Sequence, residues 1–207
     1  MPSLIVFEEK NVPVLGLNKE KLPDRTKLKE YFFDDEFEAL QHIPPTVLAL
    51  TSQNPILLYP GCGTDVLTPL LFVERLFPEL MQITLLFMDI SNNLNLIKTI
   101  LHEVNISFAQ RGNTVQFYWQ ALLVTLEFRE ENIFSHIHTI GSYDIYFEKC
   151  FRIMKDQAVG YEREVYDRLS EEGILISDSG FEGLPLERYD FPQELSMYGE
   201  MIVGKKK

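Results

Sequence analysis

The sequence has few of the features that mark extracellular or membrane proteins. Its 207 residues include two cysteines, Cys62 and Cys150, too few for a disulfide framework and without the spacing of a metal site. It has no apolar run of about 18 residues, the length of a membrane-spanning helix. Its first residues lack the basic start and the apolar stretch of a signal peptide. We therefore expect a cytoplasmic protein with no membrane partner.

Positive charge is also scarce. The chain has 19 Lys and Arg residues against 31 Asp and Glu residues, which gives a formal net charge of -12. The field of such a protein repels nucleic acid and anionic membranes. A small molecule or a protein is therefore the favoured substrate. The basic run at residues 205–207 is expected to be a solvated tail.

The chain divides into two parts by pattern. Residues 1–54 combine a proline- and glycine-containing loop with a charged stretch at 24–42 that could be helical, and they are expected to form an N-terminal extension. From residue 55 onward, apolar runs of strand length alternate with helical periodicity. This alternation predicts an α/β domain over residues 55–207, with a mostly parallel sheet and helices on both faces.

The individual elements follow from the periodicity. Predicted strands cover residues 56–59, 83–88, 114–119, 143–147 and 173–178, and predicted helices cover 66–77, 91–104 and 156–170. Residues 122–128 fit either a further strand or a helix, and residues 201–203 fit a final edge strand. In open parallel sheets, ligands bind beyond the carboxyl ends of the strands. The segments expected there are Tyr59–Asp65, Asp89–Ser91, Trp119–Gln120, Glu148–Arg152 and Asp178–Gly180.

Two glycines, Gly61 and Gly63, separate the first predicted strand from the first predicted helix. Glycine lets the backbone turn sharply and approach a ligand closely. The helix that follows offers unpaired N–H groups and the positive end of its dipole. Asp89 ends the next strand, where its carboxylate could accept hydrogen bonds from a ribose diol. Capping of the following helix is an equally good role for Asp89.

Four segments together resemble the class I S-adenosylmethionine-dependent methyltransferases. Leu58–Asp65 resembles motif I, Met88–Ser91 the end of strand two, Tyr143–Phe147 strand four, and Glu172–Asp178 strand five. The resemblance implies a Rossmann-like three-layer sandwich and S-adenosylmethionine as the cofactor. The cofactor-binding residues that it implies are Tyr59, Gly61, Cys62, Gly63, Asp65, Asp89, Ile90 and Gln120.

Three positions depart from the family pattern. Tyr59 stands where the family has its first acidic residue, and Asp65 stands where it has its third glycine. Gln120 follows the third predicted strand, where the family usually has an acid that binds the adenine amine; its carbonyl could make that contact. These departures predict weakened or altered cofactor binding. The alternative is a catalytically inactive protein that uses the same fold for binding or regulation.

The pattern offers few further chemical groups. Glu148 follows strand four, where it could act as a general base or form a surface salt bridge. Residues 34–38 are acidic, which fits a solvated helix face or a lid over the site. His136 and His138 alternate as on one face of a strand, but no third ligand lies near them, and no metal site is expected. A nicotinamide loop would need glycine at Val66.

Overall fold

The computed structural model describes residues 8–44, 48–181, 183–196 and 199–207. The strands within these ranges are β1 Ile56–Pro60, β2 Gln82–Asp89, β3 Phe108–Arg111, β4 Thr114–Trp119, β5 Leu122–Glu130, β6 Tyr143–Glu148, β7 Leu169–Ser177, β8 Leu186–Tyr189 and β9 Ile202–Lys206. The helices are α1 Arg25–Lys29, α2 Asp34–Gln41, α3 Leu67–Leu76, α4 Leu94–Glu103, α5 Ile133–His136, α6 Arg152–Lys155 and α7 Tyr161–Arg168.

All nine of these strands form one sheet in the order β3-β4-β5-β2-β1-β6-β7-β9-β8. The five central strands, from β5 to β7, are parallel, and the flanking strands pair antiparallel. The expected parallel sheet is therefore confirmed for the centre and does not hold at the two flanks. In chain order the central strands run 3-2-1-4-5, which is the order of Rossmann-like folds.

Helices cover both faces of the sheet because the central strands are apolar on both sides. Leu57 and Leu58 are fully buried neighbours on β1, and they point into different core clusters. This follows from the period of two along a strand. The cluster containing Leu57 includes buried residues of α1 to α4, and the one containing Leu58 includes residues of α5 and α7. The expected helical layers on both faces are confirmed.

The third predicted strand runs in the opposite direction to the expected one. β4 pairs antiparallel with β5, and only Gln120 and Ala121 separate the paired residues Trp119 and Leu122. Gln120 has a φ of 57°, the positive value that type II′ hairpin turns require at their first central residue. Residues 122–128, the ambiguous stretch, form the third parallel strand. The segment Trp119–Gln120 therefore lies at the amino-terminal edge of the parallel strands, away from the expected ligand edge.

Other boundaries also differ from the prediction. The helix expected at 156–170 begins only at Tyr161, because Gly160 before it is left-handed with a φ of 84°. β7 begins at Leu169, so Gly173 lies within a strand and does not cap a helix. β9 pairs with both β7 and β8, so it is an inner strand and not an edge strand.

His136 ends α5, and His138 lies in a short 3-10 helix. The two residues therefore do not share one face of a strand. A ring nitrogen of His136, Nδ1, lies 2.9 Å from the carbonyl oxygen of Asn132. This local contact accounts for the orientation of the ring without a metal.

The N-terminal extension packs on the side of α3 and α4. Leu28 of α1 and Leu40 of α2 are buried in the same core cluster as Leu67 and Leu101. Residues 1–7 and 45–47 of the proposed extension lie outside the described residues. Among the helices that are described, none has the length and apolar character needed to cross a membrane.

Candidate active site

The chain order of the strands reverses between β1 and β6. The chain proceeds from β1 through β2 to β5 on one side, then returns to β6 on the other side of β1. A crevice forms at the carboxyl ends of the strands where the order reverses. The loop from β1 to α3 and the segment after β6 meet there. This position agrees with the edge that the sequence predicted for the ligand.

The glycine loop is held against the end of β2. The N–H of Gly61 donates to the carbonyl oxygen of Met88 at 2.8 Å, and the N–H of Gly63 donates to Oδ2 of Asp89 at 2.9 Å. Gly61 and Gly63 have φ values of 59° and 52°, in the left-handed region that favours glycine. The two glycines are therefore needed for the turn itself.

Asp89 organises two loops at once. Its Oδ1 accepts the N–H of Ser91 at 2.9 Å, while its Oδ2 accepts the N–H of Gly63. The next helix begins only at Leu94, so Asp89 does not cap it. Each carboxylate oxygen can accept about two hydrogen bonds. Capacity for a ligand hydroxyl therefore remains on a side chain whose position is already fixed.

Tyr59 and Asp65, the two departures in the loop, contact each other. The hydroxyl of Tyr59 donates to Oδ2 of Asp65 at 3.0 Å, and Oδ1 of Asp65 accepts the N–H of Thr68 at 3.0 Å. Asp65 thus satisfies a free amide in the first turn of α3, where the helix dipole also favours its charge. Burial, and then the charge of Asp65, raise the pKa of Tyr59, so its hydroxyl keeps the proton that it donates. The two substitutions form one structural unit.

Replacing Asp65 with glycine, which restores the family's residue, should destabilise this protein. The change removes the acceptor for the Thr68 amide and leaves the buried Tyr59 hydroxyl without its partner. We expect the free energy of unfolding to fall by about 2 kcal/mol, measured by urea denaturation. Asp65→Asn keeps an acceptor oxygen and should lose less. Equal stability of Asp65→Gly and the unmodified protein would contradict the capping role.

A cavity of about 310 Å³ opens beside the loop. That volume is at the lower end of the range for small-molecule sites. One side is formed by the loop and the start of α3, and the other by residues before and within α2 and by the segment after β6. The lining residues used below are Phe33, Glu36, Asp65, Thr68, Lys149 and Cys150. Phe33 and Glu36 place the N-terminal extension over this cavity, as a lid would be placed.

Lys149 pairs with Glu36 across the cavity. Burial works against the charge of Lys149, but Asp65 and Glu36 outweigh burial and raise the pKa of the ammonium. The residue therefore remains protonated. The ion pair joins α2 to the end of β6, and it places a cation near the carboxylate of Asp65.

Phe151 occupies the space beside the first glycine. A Cβ atom added to Gly61 would lie 2.5 Å from Cε2 of Phe151. Phe151 is buried and stacks on Phe134 of α5, with ring centroids 5.5 Å apart. By contrast, no atom of the described residues lies within 4 Å of a Cβ placed on Gly63. The backbone of Gly61 thus makes a close contact with a protein ring, and Gly63 offers open space.

Glu148 is a buried partner in a polar network and not a surface residue. It is 1% exposed, and its Oε1 accepts from Lys155 Nζ at 2.7 Å and from the hydroxyls of Ser177 and Ser179 at 2.6 and 2.7 Å. Its Oε2 accepts from the hydroxyl of Tyr146 at 2.7 Å. The surface salt bridge is therefore wrong. Because both of its oxygens already accept hydrogen bonds below the surface, the general-base role of Glu148 has no geometric support.

The other predicted residues divide by position. Cys62 is buried in the loop, where burial raises the pKa of its thiol, so it acts as a small filler and not as a reactive group. Ile90 follows β2 and is 74% exposed. Gln120 lies beyond the amino-terminal ends of the parallel strands, at the opposite edge of the sheet from the glycine loop. The expected contact between Gln120 and the adenine amine is therefore wrong. The acids at the corresponding edge are Glu130, which ends β5, and Glu131, which follows it.

Sequence reasoning did not single out Thr68, Phe151 or Glu131 as residues of the site. Phe151 fell within a predicted strand-end segment, but no pattern marked its ring. The N–H of Glu131 donates to the carbonyl oxygen of Asp89 at 2.9 Å, which fixes the end of β5 beside β2. Correct assignment of residues 122–128 as the parallel strand would have pointed to this acid.

No protein-family model and no curated protein matches the chain by sequence. Several solved structures are similar at low identity. TrmN from Thermus thermophilus is 10% identical, with a TM-score of 0.45 over 88% of this chain and 52% of that chain. PKMT2 from Rickettsia typhi, in complex with AdoHcy, is 14% identical, with a TM-score of 0.39 over 71% and 25%.

Precorrin-6y C5,15-methyltransferase from Geobacter metallireducens is 14% identical, with a TM-score of 0.36 over 69% of this chain and 57% of that chain. The chain spans about half the length of this structure and of TrmN. These likenesses transfer no activity or substrate. The fold of the chain is defined by its own strand order and by the helices that connect its parallel strands.

Proposed function

We propose that this protein binds S-adenosylmethionine and acts as a methyltransferase-like protein on a small molecule or a protein. The observation that carries the proposal is the glycine loop at the reversal of strand order, tied to Asp89 and bordering a cavity of about 310 Å³. The loop and the N-terminal end of α3 border that cavity. The carboxylate of Asp89, which accepts from Gly63 of the loop but is not among the residues that line the cavity, would accept the ribose hydroxyls.

The residues present fit such a cofactor in two respects. Gly63 leaves open space above the loop, and Asp89 keeps acceptor capacity. When bound, the cofactor would supply an electrophilic methyl group. The task of the chain is then to orient the acceptor and exclude water, which the lid position of α2 supports.

Asp89→Ala should weaken the binding of S-adenosylhomocysteine and S-adenosylmethionine at least about tenfold. The carboxylate would make charge-assisted hydrogen bonds to the ribose, and it also fixes the loop. Isothermal titration calorimetry with the full chain measures the effect. Asp167→Ala, an exposed substitution on α7, is the matched control and should bind as the unmodified protein does. Unchanged affinity in Asp89→Ala would contradict the ribose role.

A second candidate is a catalytically inactive binding or regulatory protein with this fold. The observation that favours it is the ring of Phe151, which lies against Gly61 where a ligand would approach the loop. The same titration separates the two candidates. Heat on titration of both ligands into the unmodified protein supports cofactor binding. The absence of heat at millimolar ligand supports the inactive protein.

A further inference from the structure

A second, larger cavity lies beside the proposed cofactor cavity. Its volume is about 750 Å³, and it is bordered by α2, by the end of β6 and by the segment before β9. Phe33, Glu36, Lys149 and Cys150 line both cavities. The Glu36–Lys149 ion pair therefore stands between the two. A molecule in the larger cavity would lie next to the proposed cofactor.

Negative charge dominates the larger cavity. Its lining includes one lysine, Lys149, whose charge is balanced by the ion pair with Glu36. Apolar contacts come from Phe33, Ala39, Pro192 and Leu195. An acidic cavity with an apolar wall suits a ligand with a hydrocarbon stem and a positive head. The carboxylates that line it are those of Asp35, Glu36, Glu38, Asp178 and Glu194.

Asp178 is the deepest of these carboxylates. It is 3% exposed, and among the described residues both of its oxygens accept only the N–H of Cys150, at 2.9 and 3.1 Å. Burial raises the pKa of this carboxyl. Glu148, at the end of the neighbouring strand, has four donors instead. The carboxylate of Asp178 thus keeps capacity for further donors.

The hydroxyl of Thr68 is an independent sign that a polar ligand binds here. Thr68 is 2% exposed, and its Oγ1 has no hydrogen-bond partner among the described residues. It lines the cofactor cavity and also a narrow cavity of about 20 Å³ that reaches Asp178. That space suffices for one group of the size of a water molecule. An ammonium group is of this size and has the donors that Thr68 and Asp178 lack.

We infer that the acidic cavity binds the protonated amine of a methyl acceptor, with the ammonium directed towards Asp178 and Thr68. The inference rests on the proposed function, because it assigns this cavity to the acceptor. The hydrocarbon stem would lie along Phe33 and Leu195, and the remaining carboxylates would attract the cation to the opening. A free alkylamine and a lysine side chain share this chemistry.

The test is calorimetric titration of the full chain with n-butylamine, in the presence and absence of S-adenosylhomocysteine. n-Butanol and butyrate are probes of the same size that lack the positive charge. We expect n-butylamine to bind at least about tenfold more tightly than either of them, and less tightly as salt rises. Spermidine and N-acetyl-lysine amide, titrated next, distinguish a free amine from a lysine side chain.

Two variants connect the binding to this cavity. Glu38→Gln with Glu194→Gln removes two charges at the opening and should weaken n-butylamine binding about fivefold. Glu20→Gln with Glu79→Gln makes the same charge change at exposed sites outside the cavity and should have no effect. Thr68→Val should weaken binding about fivefold and should fold normally, because its hydroxyl has no partner to lose among the described residues.

Each outcome decides one proposal. Equal binding of n-butanol and n-butylamine, or unchanged n-butylamine binding in both cavity variants, would overturn the amine site. Binding of S-adenosylhomocysteine without any amine binding refutes the acceptor site and leaves the cofactor proposal intact. Amine binding without S-adenosylhomocysteine binding supports the acidic cavity and refutes the proposed function.

Discussion

Glu148→Gln is expected to lower the free energy of unfolding by about 3–5 kcal/mol, because it leaves a buried ammonium without its charged partner. The side chain of Lys155 is 1% exposed, and its Nζ lies 2.7 Å from Oε1 of Glu148. The ammonium also donates to the carbonyl oxygen of Gly180 at 2.7 Å and lies 3.9 Å from the centre of the Phe181 ring. These contacts position the cation, but they do not neutralise it. Glu162, whose side chain is 35% exposed, is a weaker replacement at 3.1 Å.

The urea-denaturation midpoint of Glu148→Gln measures this loss. The matched control is Asp34→Asn, which breaks the exposed ion pair of Asp34 with Lys29 and should cost less than about 1 kcal/mol. Lys155→Met combined with Glu148→Gln should be more stable than Glu148→Gln alone, since no unpaired buried charge remains. A loss in Glu148→Gln no larger than in Asp34→Asn would show that the network contributes little to stability.

The parallel centre of the fold was predictable from the sequence. β1, β2, β6 and β7 are short apolar runs, because strands that are covered on both faces need no polar side. The glycine loop and Asp89 were predictable for a related reason. A tight turn between strand and helix requires glycine, and the next strand must end at the same edge of the sheet.

The hairpin from β3 to β5 could not be placed from the sequence. β4 and β5 both alternate apolar and polar residues, and this pattern is the same for a parallel and an antiparallel strand. The direction of β4 depends on the two-residue turn at Gln120 and on its pairing with β5. Without that pairing, the carboxyl end of β4 was assigned to the wrong edge.

Contacts between side chains that are distant in the chain also could not be predicted from the sequence. Glu148 bonds to groups between 2 and 31 positions away, so no local pattern distinguishes it from a surface glutamate. Tyr59 and Asp65 looked like two separate departures from a family motif. They are one hydrogen-bonded pair. The two residues are six positions apart, and only the turn of the glycine loop brings them into contact.

Gly61→Ala is expected to be the most damaging single change in the loop, with a loss of about 2–5 kcal/mol in the free energy of unfolding. Two costs combine. Alanine in the left-handed region costs about 1–2 kcal/mol, and overpacking against a buried ring costs about 1–3 kcal/mol more. The added Cβ would lie 2.5 and 2.6 Å from two carbons of the Phe151 ring, which is itself stacked on Phe134 and cannot shift freely.

Gly63→Ala is the matched control, because it shares the backbone conformation but not the contact. Its φ is 52°, and in the part of the chain that the structure describes a Cβ there meets no atom within 4 Å, so only the backbone cost of about 1–2 kcal/mol applies. Denaturation curves of the two variants therefore isolate the contribution of the Phe151 contact. Equal losses would mean that the ring moves away from Gly61 at little cost. A ring that moves easily could also move away from Gly61 to admit a ligand. A large difference between the variants would mean that Phe151 stays against Gly61 and blocks the approach of a ligand to the loop.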